Sequence, residues 1–417
     1  MKFLLSSENV FEYLYEQGLG DTKEQELSEI KLKSGKNFNL LVSFPNGRHL
    51  LIKQERHNLK GQTKGEFLKE WRIHEFLQKF PELSHIRPLI TEAIHFDPSR
   101  SIIVFNYLND YCDLSNFYIE EQIFPTAIAA EIGVLLAAIH RTTLDHQEYK
   151  DFLAGADISI DKTPNFLRRL KRIGTEVFGE VCADALKFFE LYQRYESFGQ
   201  AIAELNTAFE PCCLTHNDLK LNNILLHLDW VQTFSKAERS PLASQTEPGN
   251  QRGDPILRLI DWERWNWGDP AFDLGSAIAS YLRIWLTSLV INTDLDVETA
   301  LRLAITPLET LQPSIVALTK TYFDRFPEII SRRPDFLRRV VQFTGFALIK
   351  KIQTTIQYQE PFGNIGICML QVAKTLLCHP EQSIPIIFGT TASELTCLSC
   401  LPDLKVTSPR LRHPSPY

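Results

Sequence analysis

The chain has 417 residues, 44% hydrophobic and 23% charged, which is an ordinary globular balance and enough length for two lobes with separate cores. Its formal charge of −7 and pI near 5.9 argue against a dedicated nucleic-acid binder, which carries a basic excess or stripe. Eight cysteines without a regular framework fit reduced thiols, so the expected location is the cytoplasm. The apolar run Phe3–Leu5 is too short for a signal peptide. Ile278–Ile291 is interrupted by Arg283 and falls short of a membrane span, so no membrane partner is expected.

In chain order, Ser7–Leu19 reads as an amphipathic helix with Val10, Phe11 and Leu14 on one face and Gly18 near its end. Three β-patterned runs follow, Leu27–Leu32, Phe38–Ser43 and His49–Lys53. Ser34-Gly35-Lys36-Asn37 separates the first two, and Pro45-Asn46-Gly47 turns the second into the third. Glu66–Phe80 has helical periodicity, and Ile90–Phe96 and Ser101–Tyr107 are strand-like. The first ~110 residues thus predict a sheet of about five strands with one intervening helix.

Helical patterns dominate from Phe124 onward: Thr126–His140, two helices within Phe166–Asn206, and most of Leu274–Leu377. Short apolar runs, Ile224–Leu228 and Leu257–Ile260, interrupt them. Thr233–Pro255 reads as a flexible insertion in a β-hairpin, and Pro402–Tyr417 as a disordered tail. The expected organisation is an N-terminal helical extension (1–26), an N-lobe (27–108), a C-lobe (109–380, with the insertion at 233–255) and a partly disordered tail (381–417).

Two segments carry chemistry. In Leu214–Leu225 the spacing H-x-D-x-x-x-x-N places a carboxylate and an amide five residues apart between apolar flanks. Asp218 can accept or orient the proton of an attacking hydroxyl. Asn223 can offer its carbonyl oxygen to magnesium, and His216 can brace the loop from beneath. Alone, an Asp in such a turn reads as a local cap. The second segment runs Leu259-Ile260-Asp261-Trp262-Glu263 and then Gly268-Asp269-Pro270-Ala271-Phe272-Asp273-Leu274. An Asp directly after an apolar strand supplies a second, anionic oxygen for magnesium bound to nucleotide phosphates.

Together these motifs resemble the aminoglycoside phosphotransferase and choline kinase-like family. The resemblance implies an α+β, two-lobed protein-kinase-like fold, with a small antiparallel-sheet N-lobe and a larger, mainly helical C-lobe. It further implies ATP and Mg2+ as cofactors, Asp218 as catalytic base, Asn223 and Asp261 as metal ligands, and Asp273 as an internal brace. Lys53 matches the strand lysine that touches the α- and β-phosphates. Glu70 matches the helix glutamate that pairs with it, with Glu66 one turn earlier as the competing choice. Ser34, Gly35 and Asn37 correspond to the phosphate-covering loop, and Val104–Leu108, with Phe105 and Tyr107, to the adenine-binding hinge. His140 reads as structural. Lys220 departs from the histidine common at its position and matches a lysine that contacts the transferred phosphate in Ser/Thr protein kinases.

The expected partner is a small hydroxyl-bearing substrate. A Ser/Thr-bearing peptide and a non-catalytic nucleotide-binding scaffold are the alternatives. A polycationic acceptor needs an acidic pocket, whereas Phe166–Arg172 and Ser331–Arg339 are basic, which favours a neutral or anionic hydroxyl compound or a peptide. Cys397-Leu398-Ser399-Cys400 lacks a second ligand pair and does not predict a zinc site.

Overall fold

Period-two burial builds the first layer. Strands β1 (Glu29–Lys33), β2 (Phe38–Ser43), β3 (His49–Gln54), β4 (Ala93–Asp97) and β5 (Ile102–Asn106) form one antiparallel sheet in the order β1-β2-β3-β5-β4. The structure, a computed structural model, describes residues 3–21, 27–58, 60–155, 183–232, 254–290, 299, 303–358 and 361–397. Leu40, Val42, Leu50, Ile52, Ile102 and Val104 share one face of the sheet. They pack on Val10, Tyr13 and Leu14 of α1 (Val10–Glu16), so the expected N-terminal extension belongs to the N-lobe core. Leu51, Ile103 and Phe105 point the other way, toward Phe67 and Trp71 of α2 (Glu66–Lys79).

The C-lobe is built on helices. α4 (Thr126–Thr143) lies on α9 (Leu308–Arg325), and α8 (Pro270–Thr287) lies on α11 (Phe336–Gln357). Both crossings depend on glycine. A Cβ on Gly133 would stand 2.4 Å from the Leu318 carbonyl oxygen, and one on Gly275 would stand 2.8 Å from that of Val340. Short strands hold the loops between them. β7 (Cys213–Thr215) pairs with β10 (Asn266–Gly268), and β8 (Ile224–His227) lies between β6 (Tyr111–Asp113) and β9 (Leu257–Leu259).

The C-lobe continues past residue 380. Pro380–Phe388 and Ala392–Thr396 are helices whose Ile384, Ile387, Phe388 and Leu395 join the C-lobe core. The boundary expected at 380 is therefore corrected. Apolar residues at helical spacing, Pro380 in the first helical turn and a Thr391–Glu394 capping box continue the fold. The insertion at 233–253, the basic run Arg168–Arg172 and the tail from 398, Cys400 included, lie outside the described residues.

The lobes meet through directional contacts. Trp265 Nε1 donates to the Lys69 carbonyl at 2.6 Å, and the Thr91 amide donates to the Leu259 carbonyl at 3.1 Å. These bonds register α2 and the sheet that carries Lys53 against the segments around Leu259 and Trp265 below. No single helix among the described residues is long and apolar enough to cross a membrane.

Candidate active site

The segment between β7 and β8 crosses the floor of the interlobe cleft, and one carboxylate holds its backbone in place. Asp273, in the first turn of α8, accepts from the His216 amide at 2.6 Å and from the Asn217 amide at 2.9 Å. His140 contacts the same carboxylate at 3.4 Å and Tyr322 Oη at 3.0 Å. Burial pushes the Asp273 carboxyl up, but the bonds from His140 and the His216 backbone outweigh it, holding the group ionised below its ordinary range. His216 donates through Nε2 to the Ile260 carbonyl at 2.9 Å and rests against Trp262.

This scaffold imposes a conformation that side chains rarely adopt. Asn217 and Asp261 have φ of 62° and 60°, in the left-handed region. Such backbone is costly outside glycine and persists only where its surroundings over-determine it. At Asn217 those surroundings are the Asp273 bond to its amide and a 2.9 Å bond from Lys350 to its carbonyl. The turn presents Asp218 to the cleft.

Asn223 and Asp261 offer oxygens to the same space. Asn223 donates Nδ2 to the Asp218 carbonyl at 2.9 Å, which fixes the amide and directs its Oδ1 elsewhere. No three His, Cys, Asp or Glu side chains among the described residues form a self-sufficient metal cage. Two oxygen donors, one of them anionic, are what a hard cation shared with substrate phosphates requires. The donor set therefore fits Mg2+ held jointly with a nucleotide.

Lys53 makes its direct bond to Asp261 rather than to Glu70, which lies close by. Its Nζ bonds Asp261 Oδ1 at 2.6 Å, while Glu70 Oε1 accepts from the Trp262 amide at 3.3 Å and Glu70 Oε2 is buried without a hydrogen bond. The pairing expected between Lys53 and Glu70 is corrected on this point. The left-handed turn at Asp261 swings its carboxylate under the lysine, and Glu70 instead holds the backbone just beyond that turn. Burial pulls the Lys53 ammonium down, but Asp261 and Glu70 more than reverse this and hold it charged. Burial pushes Glu70 well above the usual carboxylate range, with Lys53 opposing. The competing Glu66 pairs with Lys36.

Nothing in its sequence context marks Lys36. It lies in the loop Ser34-Gly35-Lys36-Asn37, all four residues of which line the cleft, and joins Glu66 of α2 and Glu263 of the C-lobe, the latter at 3.1 Å. Phe105 and Tyr107 also line the cleft. The Tyr107 amide donates to the His49 carbonyl at 2.9 Å, so the β5 ladder extends to Tyr107 and Leu108 follows it.

Asp218 is flanked by two ammonium groups. Lys350 of α11 bonds Oδ1 at 2.8 Å, and Lys220 bonds Oδ2 at 3.1 Å. Burial raises Asp218, but Lys350 and then Lys220 pull harder and leave it well below the usual carboxylate range. Lys350 lies 132 residues from Asp218 inside a helical repeat, so only the crossing of α8 and α11 brings it to the site.

The basic cluster at 331–339 does not serve the cleft. Arg332 pairs with Asp145 and Glu210, Arg338 with Glu204 and Glu381, and Arg339 with Asp335. Arg333 is buried against Asp269, which also caps α8 by accepting from the Ala271 amide at 3.0 Å. The basic character of this cluster therefore carries no argument against a cationic acceptor, since carboxylates neutralise it within the C-lobe.

No family model matches the sequence. No curated protein matches it either. Solved structures do resemble it. An ethanolamine kinase of Plasmodium vivax is 15% identical with a TM-score of 0.52, over 93% of this chain and 92% of that one. A choline kinase of Streptococcus pneumoniae is 14% identical with a TM-score of 0.44, over 89% and 98%. APH(2'')-IIa in a ternary complex with streptomycin and ATP is 16% identical with a TM-score of 0.47, over 90% and 99%. The chain has the two-lobed protein-kinase-like fold, with a small five-stranded antiparallel sheet over a mainly helical lobe.

Proposed function

We propose that this protein transfers the γ-phosphoryl group of ATP, with Mg2+, to a hydroxyl of a small molecule. The observation that carries the reading is convergence: Lys53 of β3, Asp218 and Asn223 of the loop after β7, and Asp261 after β9 come from three separate segments and line one cleft of about 1480 Å³ between the lobes. The fold shared with an ethanolamine kinase supports the same reading.

The residues divide the work. Lys53 meets the nucleotide phosphates, and the loop at Ser34–Asn37 covers them with backbone N–H groups. Asn223 and Asp261 would hold Mg2+, which neutralises charge on the phosphates when bound. Asp218 takes the acceptor's hydroxyl proton as the acceptor oxygen bonds to the γ-phosphorus. The bond from that phosphorus to the β–γ bridging oxygen breaks, and ADP leaves. A carboxylate held so far toward its ionised form is a weak base. It therefore orients the hydroxyl and accepts the proton late, which suits a loose phosphoryl transition state.

The test is phosphoryl transfer from labelled ATP into an extract of small molecules, comparing wild type with Asp218→Asn. Label should enter a small molecule only with the wild type. Equal ATP turnover by both proteins, with no labelled product, would leave a nucleotide-binding scaffold as the better description.

A further inference from the structure

The acceptor half of the cleft is lined by α8 and by the C-terminal part of α11, and α8 carries there a cation that no described residue neutralises by an ion pair. Phe272, Ser276, Ser280 and Arg283 recur at helical spacing and line the cleft along α8. Lys350 marks the reacting end, with its ammonium 5.7 Å from the Phe272 ring and 2.8 Å from Asp218. Arg283 lies 11 residues along α8 from Phe272, an axial rise of about 16 Å.

Arg283 is half-buried and forms no ion pair with any described residue. Asp113 is the acidic group whose field reaches it, and burial pulls its guanidinium below the ordinary value against that field. The Asp113 oxygens are engaged elsewhere, one capping α3 (Leu114–Glu121) through the Asn116 amide at 3.0 Å and the other 3.4 Å from Asn222 Nδ2. A half-buried guanidinium without an ion-pair partner has lost part of its hydration, and an anion supplied by a ligand compensates for that loss. The positive charge of Arg283 itself discourages a cationic acceptor.

Building on the phosphotransferase reading, we infer that the acceptor is an elongated molecule with the reacting hydroxyl at one end and an anionic group, carboxylate or phosphate, at the other. Arg283 is the residue that selects the anion.

Matched probes test this on the full-length protein: 6-hydroxyhexanoate, 6-hydroxyhexyl phosphate, hexan-1-ol and 6-aminohexan-1-ol. Calorimetric binding in the presence of Mg2+ and a non-hydrolysable ATP analogue should favour an anionic probe at least tenfold over both others, and the stronger anion identifies carboxylate or phosphate. Arg283→Gln should abolish that preference while nucleotide affinity stays the same, and Arg283→Lys should restore part of it. Thermal unfolding of each variant separates lost recognition from lost folding. Tighter binding of 6-aminohexan-1-ol, or an anion preference unchanged in a folded Arg283→Gln, would overturn the inference. Absence of any ATP turnover would remove the phosphotransferase reading, while the binding order would still judge the anion site. Turnover combined with a cationic preference would remove only the anion site.

Discussion

In the nucleotide half of the cleft Lys36 meets Glu66 and Glu263, and Lys53 meets Asp261 with Glu70 close by. In the acceptor half a single carboxylate, Asp218, serves both Lys220 and Lys350, and Arg283 has no ion-pair partner among the described residues. The difference shows how one cleft can separate two tasks. Cations already paired within the protein stay charged and ordered, and under the proposed function they would meet phosphate by exchanging partners, leaving Asp261 to hold Mg2+. An excess cation has no internal partner to leave, so it discriminates among ligands by charge.

The largest expected effect separates the halves. Asp218→Asn should slow transfer roughly 10²–10⁴-fold, the usual range for loss of a positioned base, with ATP affinity unchanged by calorimetry. A parallel loss of ATP binding would show that the two halves are not separable at the catalytic loop. Lys53→Met should lower kcat roughly 10²–10³-fold by removing one preorganised cation from the phosphates, and should leave the ranking of acceptor probes intact. A changed ranking would contradict the division.

A third prediction concerns the support beneath the nucleotide half. His74 of α2 is buried with Nε2 unpartnered, and burial lowers its pKa to about 4. Because the folded value lies below the unfolded one, the unfolded chain binds the proton first. Its contribution is complete above pH ~6.5 and is lost as pH falls toward 4, on the order of 3 kcal/mol in all. Thermal unfolding across that window should be less acid-sensitive in His74→Phe than in wild type, and identical slopes would count against the assignment.

The smallest effect sharpens the acceptor half. Lys350→Met removes the cation that most depresses Asp218, so the Asp218 pKa rises. The acidic limb of kcat/KM against pH should move to higher pH. An unmoved limb would mean that the limb reports another group.

Local chemistry makes much of the site legible in the residue order. Asp218, Asn223, Asp261 and Asp273 lie in two contiguous segments whose motif spacing shows in the residue order, and the five-stranded N-lobe follows from period-two runs. The partner of Lys53 does not, because it depends on the left-handed turn at Asp261, where nothing in the residue type announces a positive φ. Arg333 is equally opaque. Its neighbours in sequence are basic, and its buried partner Asp269 lies 64 residues away.

Sequence alone determined the identities and spacing of the groups proposed to react, since the proposed base Asp218 and the proposed metal-binding amide Asn223, five residues apart, belong to one loop whatever surrounds them. Tertiary structure alone decided which charges meet. Lys350 reaches Asp218 only because Gly275 lets α8 and α11 approach closely. Charge pairing depends on distances across packed elements, and those distances are set by side-chain volume at helix crossings, not by the order of residues along the chain.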